Sequence, residues 1–441
     1  MAGGIWTRQN KVRPGVYMNF ESQGTAATTL GERGIVTMAV PLSWGPTKQL
    51  VTVEAGADPF DVLGYDITAD EMLPVREALK RAQKLLLYRL NTGVKATATS
   101  GNLIITAKHG GVRGNDITIV ITTNIDDVTK FDVHTLVAGA EQDKQTVANI
   151  DTLANNDWVV FGATGTDKTL AASAGVPLTG GTDGTVTNAD HTAYLELLEV
   201  TEFNTVGLMS DDTTLKALYT AFIKRQREDE GKKIQAVMPN YPGADYEGVI
   251  SVKNGVVLSD QTVVDRVKAV AWVAGATAGA AVSQSLTYAA YDDAVDVDVK
   301  YTNSQIEAAL LAGEFLFTAS KGRVIVEQDI NTFRTYTLTK GKERSKNRVI
   351  RVLDGLANDC KDTFEQYHIG KTDNSADGRN LFRSALTNIA NNYQGFGAIQ
   401  NFNSQTDVSV VAGEARDSIF VEMSIQPVDS IEKIYMRVKV I

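Results

Sequence analysis

The sequence ends with Ile431-Glu-Lys-Ile-Tyr-Met-Arg-Val-Lys-Val-Ile441, in which apolar and polar residues alternate. A period of two is typical of a β-strand, whose side chains point alternately to opposite faces. A second β-prone segment, Arg13-Pro-Gly-Val-Tyr-Met-Asn-Phe20, lies near the start of the sequence. A strand at a chain end exposes unpaired N–H and C=O groups, which can pair with another chain. The two segments therefore predict a subunit that binds copies of itself.

These segments supply the candidate contacts between subunits. We predict interface strands at 16–20 and 432–441. Their candidate residues are Val16, Tyr17, Met18, Asn19 and Phe20 in the first segment and Ile434, Tyr435, Met436, Arg437, Val438, Lys439 and Val440 in the second.

Length and composition indicate a protein with several domains. The chain has 441 residues, of which 43% are hydrophobic and 22% are charged, and this suits two to four domains with substantial cores. The net charge of −10 argues against a general nucleic-acid binder, because such proteins need a basic face that displaces counterions. The single cysteine, Cys360, allows no disulfide within the chain, and its helical surroundings predict a small buried side chain.

No targeting or membrane segment is evident in the sequence. The first residues lack the apolar stretch of a secretory signal. The longest uncharged apolar run, 269–282, is shorter than the roughly 20 residues that a membrane span requires. This run contains Gly275-Ala-Thr-Ala-Gly279, from which we expect a helix that lies close against a sheet. We expect folding in a reducing cytoplasm and no membrane insertion.

An α/β core is predicted on both sides of a central insertion. Residues 34–41 are an apolar run bounded by glycine and proline, as in a buried strand. Residues 70–90 are predicted to form one amphipathic helix. From 190 to 282, apolar strands alternate with helices, which indicates a sheet covered on both faces. Residues 314–328 predict a β-hairpin that turns at the Lys-Gly pair 321–322.

The insertion is predicted to be mostly β-structure. Residues 92–183 are rich in threonine, glycine, alanine, asparagine and valine, and contain short apolar strands. The glycine-rich segment 179–184 is expected to be a flexible hinge at its end.

The last hundred residues predict an α+β domain. Helices are expected at about 346–367 and 378–394, and strands at 408–411, 418–425 and 432–441. The whole chain is therefore predicted to be a multidomain α/β and α+β protein. Its predicted parts are an extended N-terminal arm at 1–25, an α/β core at 26–91 and 184–345, an inserted mostly-β domain at 92–183 and a C-terminal α+β domain at 346–441.

Several motifs resemble ligand sites but lack a residue that the chemistry requires. The segment 162–169 resembles a phosphate loop, but Asp167 stands in place of the second glycine and adds a negative charge. The segment 373–378 matches the start of an EF-hand loop, but Ser384 replaces the bidentate glutamate. The acidic cluster of Asp292, Asp293, Asp296 and Asp298 is more typical of a solvated face or a subunit contact than of a cation site.

No catalytic constellation is predicted either. The four histidines have no partner at metal-ligand spacing, and the Gly-x-Ser-x-Gly elbow of serine hydrolases is missing from the sequence. We therefore predict no catalytic residue, no cofactor and no metal site.

One basic run stands out in this acidic chain. It extends from 340 to 351 and has six basic residues against one acidic residue, Glu343. A concentrated basic patch can be a docking surface for an acidic partner, although such a run is commonly just a solvated face. The candidate contacts to a partner are Lys340, Lys342, Arg344, Lys346, Arg348 and Arg351.

Four segments, in this order, carry a resemblance to contractile tail sheath proteins of bacteriophages and phage-like particles. They are Arg13-Pro-Gly-Val-Tyr17, Leu178-Thr-Gly-Gly-Thr-Asp-Gly184, Val326-Glu-Gln-Asp-Ile-Asn-Thr332 and Arg348-Val-Ile-Arg-Val-Leu-Asp354 with Tyr367-His-Ile-Gly370. The resemblance spans nearly the whole chain and is weakest in the insertion.

The resemblance implies an architecture and a set of partners. Sheath subunits stack as hexameric rings around an inner tube, and their terminal strands complete sheets in neighbouring subunits. The N-terminal arm would thus complete a C-terminal domain that faces the tube, with the insertion further out. The six basic candidates at 340–351 would then contact the tube or a neighbouring subunit. Contraction would drive the tube through a bacterial envelope. The implied partners are further copies of the chain, the tube protein, and baseplate and tail terminator proteins, in a virion tail assembled in the host cytoplasm.

Two alternatives remain open at this point. The chain could be the sheath subunit of a headless injection or bacteriocin particle. It could instead be a soluble α/β enzyme with an accessory β-domain, whose ligand would bind at the carboxyl ends of the parallel strands.

Overall fold

A computed structural model describes residues 2–4, 15–17 and 33–440 of the chain. Near the start, two short strands pair in parallel, β1 Ala2–Gly4 and β2 Gly15–Tyr17. The elements before the insertion are β3 Ile35–Val40, β4 Leu50–Glu54, α1 Phe60–Leu63, α2 Leu73–Leu79 and β5 Lys84–Arg89.

The insertion contributes seven strands. They are β6 Lys95–Ser100, β7 Leu103–Gly110, β8 Ile117–Thr123, β9 Phe131–Val137, β10 Ala140–Val147, β11 Val159–Ala163 and β12 Ser173–Pro177.

The chain then returns to the α/β core and ends in a helical pair with short strands. The core elements are α3 Asn188–Glu199, β13 Thr205–Gly207, α4 Thr213–Glu228, β14 Gln235–Pro239, β15 Val249–Val252, β16 Val256–Leu258, β17 Val263–Val264, α5 Arg266–Gly279, β18 Ala294–Val297, α6 Asn303–Leu311, β19 Glu314–Phe315, β20 Phe317–Ser320 and β21 Arg323–Val326. The last elements are α7 Asn347–Tyr367, α8 Ala376–Gly395, β22 Ile399–Gln400, β23 Val408–Ala412, β24 Ile419–Met423 and β25 Gln426–Pro427.

A seven-stranded sheet organises the core, in the order β19-β15-β14-β13-β3-β5-β4. Its strands are parallel except β4, which pairs antiparallel with β5 at one edge. Helices α2 and α5 cover one face, and α3 and α4 cover the other. The predicted sheet with two covered faces is confirmed, because its strands are almost wholly buried.

The predicted helix over 70–90 is wrong. Only Leu73–Leu79 is α-helical, and Lys84–Arg89 is the strand β5, buried between β3 and β4. A short continuous apolar run suits a buried strand as well as a helix, so periodicity alone could not separate the two. The predicted hairpin is confirmed at β20 and β21, whose turn residues Lys321 and Gly322 both have positive φ.

Helix α5 lies against the sheet as expected, but the two glycines of its Gly275–Gly279 motif face α2 and the residues that follow α2. A Cβ at Gly275 would lie 2.1 Å from the carbonyl oxygen of Ala78 in α2. At Gly279 it would lie 1.9 Å from the carbonyl oxygen of Arg81, just after α2. The two glycines therefore let the α5 backbone approach the end of α2 directly.

The insertion folds as two facing sheets around one apolar core. The sheets have the strand orders β10-β9-β8-β12 and β11-β7-β6. Ile105, Ile119 and Val133 are fully buried between them. Trp158 of the insertion stacks on Trp44 of the core, with ring centroids 5.1 Å apart, so the hydrophobic core runs on into the α/β domain.

The expected hinge at 179–184 is a closely bonded junction instead. Thr179 and Thr182 form backbone bridges to Thr97 and Val94. The Asp183 carboxylate accepts hydrogen bonds from the Ser43 hydroxyl at 3.0 Å and from the Val112 N–H at 2.8 Å. Gly181 and Gly184 pack closely against the backbone of Gly111 and Gly93, so the flexibility expected from composition is not present in this arrangement.

Two buried ion pairs join the C-terminal helices to the α/β core. Arg227 of α4 donates to both carboxylate oxygens of Asp354 in α7, at 2.6 and 2.8 Å. Arg351 of α7 pairs at 3.0 Å with Asp329, which follows β21. These four side chains are at most 8% exposed, so each charged group depends on its ion-pair partner to compensate its charge.

Candidate assembly surface

The C-terminal segment 433–440 is the most exposed apolar part of the described chain. Ile434, Met436, Val438 and Val440 are each at least 75% exposed, and Tyr435 is 92% exposed. The predicted strand at 432–441 is not formed in the single chain, because no strand of its own chain lies beside it within the described residues. Its alternation leaves four aliphatic side chains on one face without a partner. We call residues 433–441 the C-terminal arm.

An apolar groove lies beside a free strand edge in the same domain. Strands β23 and β24 form a two-stranded antiparallel sheet, and among the described residues no further strand pairs with either. The groove, of about 400 Å³, is bounded by β24, α7 and α8. Its apolar lining consists of Leu353, Leu356, Ala357, Cys360, Phe364, Phe382, Leu386, Ile419, Val421 and Met423.

Strand β24 points alternate side chains into this groove. Ile419, Val421 and Met423 line it, whereas Phe420 is 59% exposed and Glu422 also faces outward. A strand added to this edge with the same alternation would continue the groove wall with aliphatic side chains. Cys360 lies in this groove, and burial raises the pKa of its thiol to about 12, which keeps it in the unreactive thiol form.

The N-terminal candidates are only partly described. The backbone at Gly15–Tyr17 pairs in parallel with Ala2–Gly4, so Val16 and Tyr17 lie in a strand. Met18, Asn19 and Phe20 lie outside the described residues.

The six basic candidates do not form one surface. Lys340 and Arg344 lie near Glu247, at 2.9 and 3.6 Å. Burial alone would raise the pKa of Glu247, but the hydrogen bond from Lys340, a backbone hydrogen bond and the charges of Lys340 and Arg227 together outweigh it and hold that pKa below its usual value. Lys342 is exposed and Arg348 is partly buried.

Two other basic candidates form ion pairs within the subunit. Arg351 is 1% exposed and paired with Asp329, so it does not reach the surface as expected. Lys346 forms an ion pair with Glu432 at the base of the C-terminal arm. Sequence reasoning missed Glu432 itself, since a glutamate within an alternating strand pattern resembles a solvent-facing residue.

The loops at the carboxyl ends of the parallel strands carry structural contacts. The Asp211 carboxylate pairs with Lys216 and Arg266, each at 2.9 Å. Asp212 caps helix α4 by accepting from the N–H groups of Thr214 and Leu215. The part of the chain that the structure describes has no group of three histidine, cysteine, aspartate or glutamate side chains that could hold a metal ion.

The segments that resemble a phosphate loop and an EF-hand loop also form local hydrogen bonds. Asp167 accepts from the Thr169 N–H at 3.0 Å. Ser375 caps α8, with Asp377 in its first turn. Within 2–4, 15–17 and 33–440, no helix is long and apolar enough to cross a bilayer.

Comparison with known proteins accounts for this architecture. Four family models match consecutive segments of the chain: the tail sheath domain III N-terminal region at 33–90, the phage tail sheath β-sandwich domain at 91–183, the phage tail sheath central domain at 184–332 and the phage tail sheath C-terminal domain at 339–441. A crystal structure of a sheath tail protein from Desulfitobacterium hafniense is 57% identical, with a TM-score of 0.88, and the match covers 97% of this chain and 100% of that one. The chain belongs to the phage tail sheath family.

Further similarities agree with membership of the tail sheath family. The phage-like element PBSX protein XkdK of Bacillus subtilis is 39% identical over 466 residues, with full coverage of both chains. The helical sheath of the anti-feeding prophage, in its contracted state, has the same fold at 13% identity, with a TM-score of 0.58 and coverage of 97% of this chain and 99% of that one. The predicted sheath family and the predicted multidomain fold class are confirmed, and the chain is a sheath subunit.

Proposed function

We propose that this subunit polymerises by donating its C-terminal arm to the free edge of β24 in a neighbouring subunit. The supporting observation is the match between an exposed arm with aliphatic side chains on one face and an open aliphatic groove beside an unpaired edge. Main-chain hydrogen bonds would give affinity, and the side chains of Ile434, Met436, Val438 and Val440 would fill the groove. The N-terminal strand region at 16–20 would serve as a second arm in the same mesh.

The polymer would be a contractile sheath of stacked hexameric rings around an inner tube. Arms that exchange through backbone hydrogen bonds tolerate rotation of the globular bodies, because the links between them flex. Contraction would need no nucleotide if the contracted lattice buries more surface than the extended one. The contracted helical sheath that shares this fold supports the proposal. The tube, the baseplate and the tail terminator would be the other partners, in a virion tail assembled in the host cytoplasm.

A headless contractile particle is a second candidate. The similarity to a protein of a phage-like element over its full length favours it. Micrographs of native particles distinguish the two, since a phage tail carries a head and an injection particle does not.

The experiment removes the arm or alters one of its faces. Deletion of 433–441 is expected to leave a folded subunit that forms no cylinders under negative-stain microscopy. The double variant Met436→Ser with Val438→Ser is expected to do the same. The matched control, Arg437→Ser with Lys439→Ser, alters the opposite face and should still polymerise. Deletion of 1–20 tests the second arm in the same way. Cylinders of normal length from the arm deletion would contradict strand donation.

A further inference from the structure

The residue just before the C-terminal arm, Glu432, is held by three side chains from distant parts of the sequence and by the neighbouring Ser430 hydroxyl, at 3.4 Å. The Glu432 carboxylate accepts hydrogen bonds from the Thr287 hydroxyl at 2.9 Å and from the Gln328 side-chain amide at 2.6 Å. It also forms an ion pair with Lys346, the residue just before α7. The carboxylate side chain is only 11% exposed. A charged group with little exposure and several donors is held firmly in place.

The three donors come from separate parts of the junction between the α/β core and the C-terminal domain. Thr287 lies between α5 and β18, Gln328 follows β21, and Lys346 precedes α7. Thr287 also accepts a hydrogen bond at 3.0 Å from the backbone of Asp329, the buried partner of Arg351. Glu432 is thus tied to the same network that holds α7 against the core.

Contacts change abruptly after this residue. To other described residues, 433–440 make no hydrogen bond, and their apolar side chains are exposed. On one side the base of the arm borders a cavity of about 850 Å³ formed with α6 and the segment 333–346. Packing therefore gives little support there, and the carboxylate contacts are the main hold on the arm.

We propose that Glu432 is a positioning residue that anchors the origin of the C-terminal arm, so that the arm moves only beyond residue 432. The role of this anchor in assembly rests on the proposed strand donation. A fixed origin confines the arm to a small volume and raises its effective concentration at a neighbouring groove. It also transmits tension on the arm into α7 and the core through Lys346 and Gln328.

Spin labelling of the unassembled subunit tests the anchor directly. Cys360→Ala removes the sole cysteine, and Tyr435→Cys places a nitroxide three residues beyond the anchor. Glu432→Gln keeps the shape but removes the charge that Lys346 needs. We expect the rotational correlation time of the label to fall about twofold, since segmental motion then begins closer to the core. Glu414→Gln, the same change at an exposed residue, should leave the spectrum unchanged.

A variant of the ion-pair partner tests whether the change in label mobility comes from loss of the ion pair itself. Lys346→Met should mobilise the label as Glu432→Gln does, and the double variant should add little, because both changes remove one ion pair. An unchanged spectrum in Glu432→Gln would overturn the anchor. Equal mobilisation by Glu414→Gln would do so too. Neither result bears on strand donation, which is judged separately from cylinder formation by the arm deletion.

Discussion

The contact between α5 and α2 predicts that a single methyl group at Gly275 destabilises the core. Its Cβ would lie 2.1 Å from the Ala78 oxygen, 2.9 Å from its carbonyl carbon and 3.0 Å from its Cα. All three atoms belong to the backbone, so no side-chain rotation relieves the clash. The helices must separate by about 0.9 Å to restore even a tight 3.0 Å contact.

Two opposing effects decide how much Gly275→Ala changes the free energy of unfolding. Alanine is favoured over glycine inside a helix by about 1 kcal/mol. Forcing apart two packed elements costs about 3 kcal/mol, because the surrounding core is already filled. Here the neighbours Trp272 and Val273 are fully buried and cannot move outward freely. We therefore expect Gly275→Ala to lower the free energy of unfolding by about 2 kcal/mol.

Urea denaturation followed by circular dichroism measures this change against a matched control. Gly395, the last residue of α8, is also a helical glycine, but a Cβ there would contact nothing within 4 Å. Gly395→Ala should therefore leave stability unchanged or raise it by up to about 1 kcal/mol. Equal stability of Gly275→Ala and Gly395→Ala would refute the explanation by close helix approach.

Two further predictions concern the junctions of the core. Asp354→Ala leaves the buried Arg227 without its carboxylate and should cost about 3–5 kcal/mol in urea denaturation, whereas replacing both residues by leucine and methionine should recover most of that loss. Burial and the charges of Arg89, Lys108 and Lys95 lower the pKa of His109 to about 4. The unfolded chain binds this proton near pH 6.5, so stability from His109 is complete above that pH and should fall as the pH drops from 7 to 5, by about 1 kcal/mol because solvent screens part of the shift at this half-buried ring. His109→Gln should flatten that slope, and an unchanged slope would show that another group causes it.

Local pattern predicted most of the elements but few of their contacts. The long helices α7 and α8 were predicted within a few residues, because their periodicity extends over several turns. The run Leu85-Leu-Leu-Tyr88 failed because it is too short for a period to show and is buried on both faces. Composition at 179–184 indicated flexibility, whereas Gly181 and Gly184 there allow close backbone packing.

The candidate site was predictable only in part for the same reason. The alternation of apolar and polar residues identified the arm, because this pattern is visible within one short stretch of sequence. The anchor of that arm joins Glu432 to Thr287, 145 residues earlier, and the core junction joins Arg227 to Asp354 across 127 residues. Charge patterning suggested one basic surface at 340–351, but the fold separates it into surface, half-buried and interior positions. Such pairings depend on topology, which no local pattern contains.

Two bonded junctions within the subunit limit how it could deform if the proposed sheath contracts. The insertion is joined to the core by buried aromatic rings and by Asp183, and the C-terminal helices are joined to it by two buried ion pairs. Rotation at either junction would expose apolar surface or leave a buried charge unpaired. Residues 433–440 make no such contacts with other described residues, so bending there breaks no hydrogen bond between described residues. Relative motion of neighbouring subunits should therefore concentrate in the arms, while each body moves as a unit.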